Sequence, residues 1–234
     1  MCETCGCGEP DNKPEQTQDP IGRDLLSAND KAAQHNREHL RRIGAFMVHL
    51  TSSPGSGKTT LLEKTVEALK GKLSIGVIEG DVATENDAER MRAMGVPSEA
   101  IVTDGACHLD AKQVHHALHH LAEKGNLDLI FVENVGNLVC PADFDLGEDY
   151  RVVLVSTAEG DDKPEKYPPI FRRADALVIS KTDLLPHVDF CIDKVKKHAQ
   201  TIAPRIRTFE ISAKGGDGLD EWIAWLSNIV PAGK

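Results

Sequence analysis

The sequence has no excess of positive charge. Its 37 acidic residues outnumber 27 Lys and Arg, giving a net charge of −10, whereas a nucleic-acid-binding chain needs a basic footprint. It has no apolar run long enough to cross a membrane, the longest being of strand length. Its start, Met1-Cys2-Glu3-Thr4-Cys5, lacks both the cationic and the apolar region of a signal peptide, so a cytoplasmic location is expected. In that compartment the six cysteines are expected as ligands or free thiols rather than disulfides. No internal repeat is visible. What is present is an ordinary soluble composition, 40% apolar over 234 residues, which allows one domain with a sizeable core and some extra segments.

Residues 1–20 stand apart. Three cysteines crowd the first seven positions, and residues 8–20 are polar, rich in Pro, Gln and acids, and without a period. They read as a Cys-rich tail and flexible linker. From Asp24 the apolar spacing turns helical through Leu25, Leu26, Ala28, Ala32, Ala33, Leu40 and Ile43, with Gly44 as the stop. This N-terminal helix, within residues 21–44, leads into a domain over 45–234. There, Val-, Ile- and Leu-rich runs at 46–51, 73–79, 127–135, 150–156, 174–180 and 205–211 alternate with helical stretches at 58–69, 85–94, 110–124, 189–203 and 219–229. The runs are apolar on both faces, as strands buried on both sides are. The expected fold is α/β, a doubly wound and mostly parallel sheet. Such sheets bind ligands beyond the carboxyl ends of their strands, so the residues just after each strand carry the chemistry.

The first strand runs into Ser52-Ser53-Pro54-Gly55-Ser56-Gly57-Lys58-Thr59-Thr60 and then a helix. Small residues at Gly55, Ser56 and Gly57 let backbone N–H groups close on phosphate oxygens at a helix N-terminus. Lys58 would reach the β- and γ-phosphates and the Thr59 hydroxyl a magnesium ion. Ser52 stands where the usual first glycine would be. Asp81 and Glu133 follow strands and are the expected magnesium carboxylates, with Gly136 of Glu133-Asn134-Val135-Gly136 facing the γ-phosphate. Each acid also suits an N-cap or a solvated loop. In Ser180-Lys181-Thr182-Asp183 the Asp183 carboxylate can accept both N–H groups of guanine's Watson–Crick edge, where adenine offers a lone pair. The Lys181 stem can cover the base, and Ser212-Ala213-Lys214 can back it with an N–H. Ser180 replaces the usual Asn, so a brace between loops is expected to be lost and nucleotide affinity to be weaker. Four motifs in this order favour GTP over ATP.

Cys2, Cys5 and Cys7 form a C-x-x-C-x-C cluster. Thiolates select soft or borderline metals. With a chain beginning at residue 1, three thiolates and the terminal amine would suit square-planar nickel, whereas a tetrahedral thiolate or imidazole set would suit zinc. A second set, Cys107-His108 and Cys140, lies in the stretches where GTPases keep segments that respond to the γ-phosphate. By composition alone the two cysteines read as small core hydrophobes and His108 as a loop residue. His115 with His119 and His116 with His120 are i,i+4 pairs that can chelate, although a solvated helix face is the commoner meaning. Cys191 reads as a core residue of its helix.

From about Asp24 onward, the chain resembles the hydrogenase nickel incorporation protein HypB family, GTPases of nickel-iron hydrogenase maturation. The resemblance is carried by Leu50-Thr51-Ser52-Ser53-Pro54-Gly55-Ser56-Gly57-Lys58-Thr59-Thr60-Leu61-Leu62, Gly80-Asp81, Gly105-Ala106-Cys107-His108-Leu109-Asp110-Ala111 and Glu133-Asn134-Val135-Gly136-Asn137-Leu138-Val139-Cys140-Pro141. It implies a chain that binds GTP and nickel and dimerises when GTP is bound. It also implies a metal shared across that interface through Cys107 and His108, with Cys140 as a further ligand. The implied partners are the nickel chaperone HypA and the hydrogenase large subunit. Ser52 and Ser180 match family variants, and the N-terminal cluster matches a nickel motif of some members. The related urease accessory GTPases carry a Cys-Pro-His motif absent here. A nickel or zinc storage protein with vestigial nucleotide binding is the other alternative.

Overall fold

The computed structural model describes residues 20–230. The expected tail ligands Cys2, Cys5 and Cys7 therefore lie outside the described residues. The described residues begin with α1 (Pro20–Ile43), and then strands and helices alternate. They are β1 (Phe46–Ser52), α2 (Lys58–Leu69), β2 (Ile75–Asp81), α3 (Asn86–Ala93), β3 (Ser98–Val102), α4 (Ala111–Glu123), β4 (Leu129–Glu133) and β5 (Tyr150–Ser156). After them come α5 (Lys163–Lys166), α6 (Pro168–Arg172), β6 (Ala176–Ser180), α7 (Ile192–Ile202), β7 (Arg207–Ile211) and α8 (Leu219–Ile229). The sheet has seven strands in the order β3-β2-β4-β1-β5-β6-β7, and every pair is parallel.

Burial on both faces explains the apolar runs. All five residues of β4 and of β6 are buried. On one face, Leu50, Phe131 and Val178 pack with Leu62 of α2 and with Trp222 and Leu226 of α8. Trp222 is fully buried, and its Nε1–H donates to Thr65 Oγ1 at 2.8 Å, tying α8 to α2. On the other face, Met47, Ile78 and Val132 pack with Leu40 of α1 and Leu118 of α4. Val153 and Ile179 pack there with Phe171 of α6 and Val195 of α7. Asn36 fixes α1 by donating to the Ala111 and Leu146 carbonyls at 2.8 and 2.9 Å.

Three differences from the sequence reading have physical causes. Strand β2 begins and ends two residues later than the expected 73–79, so Asp81 closes the strand instead of following it. Strand β3 was not expected. It is a five-residue edge strand in which only Ser98 is buried, so it carries no apolar run. Cys191 is exposed and is no core residue. It is the N-cap of α7, whose buried stripe falls on Val195 and Ala199.

Candidate nucleotide and metal site

The turn from β1 to α2 lies at the carboxyl edge of the sheet. Gly57 caps α2 with a φ of +93°, a conformation that a side chain would strain. The resulting cleft of about 500 Å³ is lined by Gly55, Lys58, Thr59, Asp81, Glu133 and Gly136, among others. Gly136 is confined by close approach: a Cβ there would lie 2.8 Å from the Pro54 backbone. Lys58 is buried, donates to Ser52 Oγ at 3.0 Å, and lies 3.7 Å from Glu133 Oε1. Ser52, in place of a glycine, thus gives the lysine a resting partner.

Thr59 Oγ1 donates to Glu133 Oε1 at 3.0 Å, while Glu133 Oε2 is buried with no donor. A hydroxyl, an unsatisfied carboxylate oxygen and Asp81 at the mouth of the same cleft form an oxygen donor set that fits magnesium. Asp81 also holds its own loop, accepting from the backbone N–H groups of Ala83 and Thr84 at 2.8 and 2.9 Å. These bonds lower its pKa, the Ala83 bond most strongly, against the opposing effect of burial.

Sequence reasoning missed Glu79. It pairs in register with Glu133 across β2 and β4 and is almost fully buried. Burial first, and then the charge of Glu133, push its carboxyl up to about 10. Burial raises Glu133 as well, against the opposing charge of Lys58. Two facing carboxyls in such a place disfavour each other's ionisation, so Glu79 keeps its proton. The only sequence signal was an acid inside an apolar strand.

A second pocket of about 280 Å³ adjoins the cleft, lined by Ser56, Thr60, Lys181, Asp183, Ala213 and Lys214, with others. Asp183 is held by the Ser212 hydroxyl, which donates to its Oδ1 at 2.8 Å. Lys181 sits at a φ of +59° and donates through Nζ to the Gly55 carbonyl at 2.6 Å. The Ser180 hydroxyl donates to the Ser56 carbonyl at 2.6 Å. The serine therefore keeps a brace to the phosphate-binding turn, and the expected loss does not occur.

Cys107, His108 and Cys140 come together, each offering a donor atom within 4.8 Å of the others. Both cysteines are half-buried free thiols rather than core residues. The hydrogen bond to the Cys140 sulfur, and then burial, raise the Cys107 thiol. Burial lowers His108, which stacks on Phe144 with ring centroids 3.9 Å apart. The imidazole nitrogen is therefore available as a neutral donor.

A buried polar relay joins the two sites. Asn134 follows Glu133, and its Oδ1 accepts from the backbone N–H of Leu109, next to His108, at 3.0 Å and of Val135 at 2.9 Å. Its Nδ2 donates to His49 Nε2 at 2.8 Å. His49 is fully buried, and burial lowers its pKa. Its Nδ1–H therefore faces Glu148 Oε1, at 3.3 Å. Glu148 is buried, which alone would raise it, but His49 and Arg151 hold it far down. Arg151 then donates to the Phe144 carbonyl at 2.8 Å and the Pro141 carbonyl at 3.3 Å. The relay thus touches the backbone beside both halves of the Cys–His–Cys cluster.

Comparison with known proteins is consistent with this arrangement. Residues 46–210 match the family model described as CobW/HypB/UreG, nucleotide-binding domain. The chain is 50% identical over 207 residues to the hydrogenase maturation factor HypB of Rhizobium leguminosarum bv. viciae, spanning 88% of this chain and 69% of the relative. Its fold matches hydrogenase maturation factor HypB of Archaeoglobus fulgidus with a TM-score of 0.81 and 45% identity, covering 88% of this chain and 100% of the other. It also matches HypB from Helicobacter pylori in complex with nickel, with a TM-score of 0.82, 37% identity, and 88% and 99% coverage.

Proposed function

The chain belongs to the HypB family of hydrogenase maturation factors, and on that premise we propose that it hydrolyses GTP to control its grip on a nickel cargo for nickel-iron hydrogenase maturation. The single observation behind this reading is the Asn134 relay. The residue between Glu133 and Val135 also fixes the backbone of Leu109, beside His108. Movement of the 133–136 segment at a triphosphate is therefore felt at the metal ligands.

The roles follow from the geometry. The triphosphate lies along residues 55–60, with Lys58 leaving Ser52 to meet the β- and γ-phosphate oxygens. Gly136 turns its N–H toward the γ-phosphate. Thr59, Glu133 and Asp81 hold magnesium, which when bound neutralises charge on the phosphate oxygens. Asp183 accepts from the guanine edge, Lys181 covers its face, and Ser212, Ala213 and Lys214 close the pocket. Loss of the γ-phosphate lets residues 133–136 relax, and Asn134 transmits the shift to Leu109. The cargo, held by Cys107, His108 and Cys140, then passes to a better ligand set.

Three ligands leave a coordination position for a donor from elsewhere. A GTP-dependent homodimer that joins two Cys107–His108–Cys140 faces supplies it, and Val139, 60% exposed beside Cys140, is a hydrophobic contact for that face. Zinc competes for the same donors. The nickel chaperone HypA and the hydrogenase large subunit are the partners, and the cytoplasm is the setting. Among the described residues no helix is long and apolar enough to cross a membrane. The test is nickel affinity of the full chain, by chelator competition, with GDP and with a non-hydrolysable GTP analogue, alongside light scattering for the dimer. A clear affinity difference is expected, and equal affinity and exchange rate in both states overturn the reading.

A further inference from the structure

The packed faces of α1 and α4 carry a cluster of histidines that the nucleotide and cargo sites do not use. His35 and His39 project from α1, and His115, His116 and His119 from α4. Ring centroids lie 4.5 Å apart for His39 and His119, 4.7 Å for His115 and His119, and 6.3 Å for His39 and His115. We propose that His39, His115 and His119 form a second binding site for a divalent transition ion, zinc or nickel.

The hydrogen bonds around His115 determine its tautomer. Asn36 donates through Nδ2 to two carbonyls, so its Oδ1 is an acceptor and receives a hydrogen bond from the His115 Nδ1–H at 2.8 Å. His115 Nε2 is then a bare lone pair. A metal-binding imidazole has this form, with its distal N–H held by a neighbouring oxygen. His119 Nε2 lies 3.2 Å from that lone pair. Two imidazole nitrogens bound at 2.0–2.1 Å around a tetrahedral ion lie about 3.3 Å apart, so the i,i+4 pair already has the spacing of co-ligands. Without an ion, His119 donates its Nε2–H to His115. With one, that proton moves to Nδ1 and both Nε2 atoms face the metal.

His39 supplies the independent observation. It is 6% exposed, and its Nε2 is buried without any hydrogen-bond partner. A buried ring nitrogen with no partner is unfavourable, and a metal beside it would satisfy it. His119 is exposed and opens the site to solvent, and the His39 ring lies directly against the His119 ring. Imidazole donors suit zinc and nickel alike. The site rests on helices rather than on phosphate-facing loops, so its affinity is independent of the nucleotide. Its test therefore separates from that of the proposed GTP-gated cargo site.

The experiment uses the full chain with Cys2→Ser, Cys5→Ser, Cys7→Ser, Cys107→Ser and Cys140→Ser. Titration with zinc or nickel against a chromophoric chelator is expected to show one remaining ion per chain, in GDP and GTP-analogue forms alike. Cobalt should give visible ligand-field bands with no near-ultraviolet thiolate band. His119→Ala should weaken this binding about tenfold or more. His120→Ala, whose ring faces Glu99, should leave it unchanged. Should the multiple variant fail to fold, His119→Ala in the otherwise natural chain should weaken one class of bound ion about tenfold while the others keep their affinity. No ion held without the cysteines, or unchanged affinities after His119→Ala, overturns the site.

Discussion

Replacing Asn134 by alanine isolates the link between nucleotide and metal. The side chain is 1% exposed and satisfies three groups: the N–H of Leu109, the N–H of Val135 and the ring of His49. Each group left buried and unpaired costs about 1–3 kcal/mol, and water entering the new space returns part of it. A net loss of roughly 3 kcal/mol is expected, large but within the 5–15 kcal/mol of an ordinary domain. The functional effect should be larger than this loss implies. Coupling between two sites is typically about 1–3 kcal/mol, or 5–150-fold in affinity. In Asn134→Ala the ratio of nickel affinities between the GTP-analogue and GDP forms should fall towards one. The control is Thr65→Val, which orphans the buried Trp222 N–H on the opposite sheet face. It should cost stability without changing the ratio. Chelator competition on both variants, beside thermal melts, makes the measurement. A ratio unchanged in Asn134→Ala, or lost equally in Thr65→Val, would refute the relay.

Four further outcomes follow from the same geometry. Lys58→Ala should reduce phosphate release from GTP to background, measured by a phosphate-capture assay. Asp183→Asn should weaken GTP by orders of magnitude and gain affinity for xanthosine triphosphate, whose 2-oxo group accepts where guanine donates; displacement of a fluorescent nucleotide reads both. Cys107→Ala should lower nickel affinity of the domain while GTP binding stays within about twofold, since the thiol contacts no part of the nucleotide cleft. Glu79→Gln tests the proton on Glu79. Folded Glu79 keeps its proton to about 10 while an unfolded carboxyl loses it near 4.5, so the native state binds more protons between those values. Its stability contribution is complete at low pH and is lost as pH rises through that window. The melting temperature of Glu79→Gln should therefore gain on the parent from pH 5 to 9, and a pH-independent difference would contradict the assignment.

Local motifs placed the candidate nucleotide site. Lys58 and Thr59 sit where a strand-to-helix turn puts them, and Asp183 follows a fully buried strand; each role depends on a few adjacent residues. Glu79 was hidden because its partner is set by strand register, 54 positions away at Glu133. His49 and Asn134, 85 positions apart, were hidden for the same reason. Ser180 misled in the other direction. Its shorter side chain was read as a lost brace, but the distance to the Ser56 carbonyl is one that a hydroxyl can span. Edge strand β3 has too little burial to leave a pattern.

Burial of so many charged groups needs a reason beyond stability. Replacing Glu79, His49, Glu148 and Arg151 with apolar side chains of similar size would, on general grounds, stabilise the fold or leave it nearly unchanged. With Asn134, these groups instead run beneath the carboxyl edge of the sheet, from the Glu133 end of β4 to the backbone beside His108 and Cys140. An apolar core would hold those loops in place but would not transmit a displacement with direction. A hydrogen-bonded chain ties each loop to one donor or acceptor, so a small movement of Glu133 can only be met by breaking or shifting a specific bond. Asn134 is the narrowest point of that chain, because one amide serves His49 of β1, the Val135 loop and the Leu109 loop beside His108 at once.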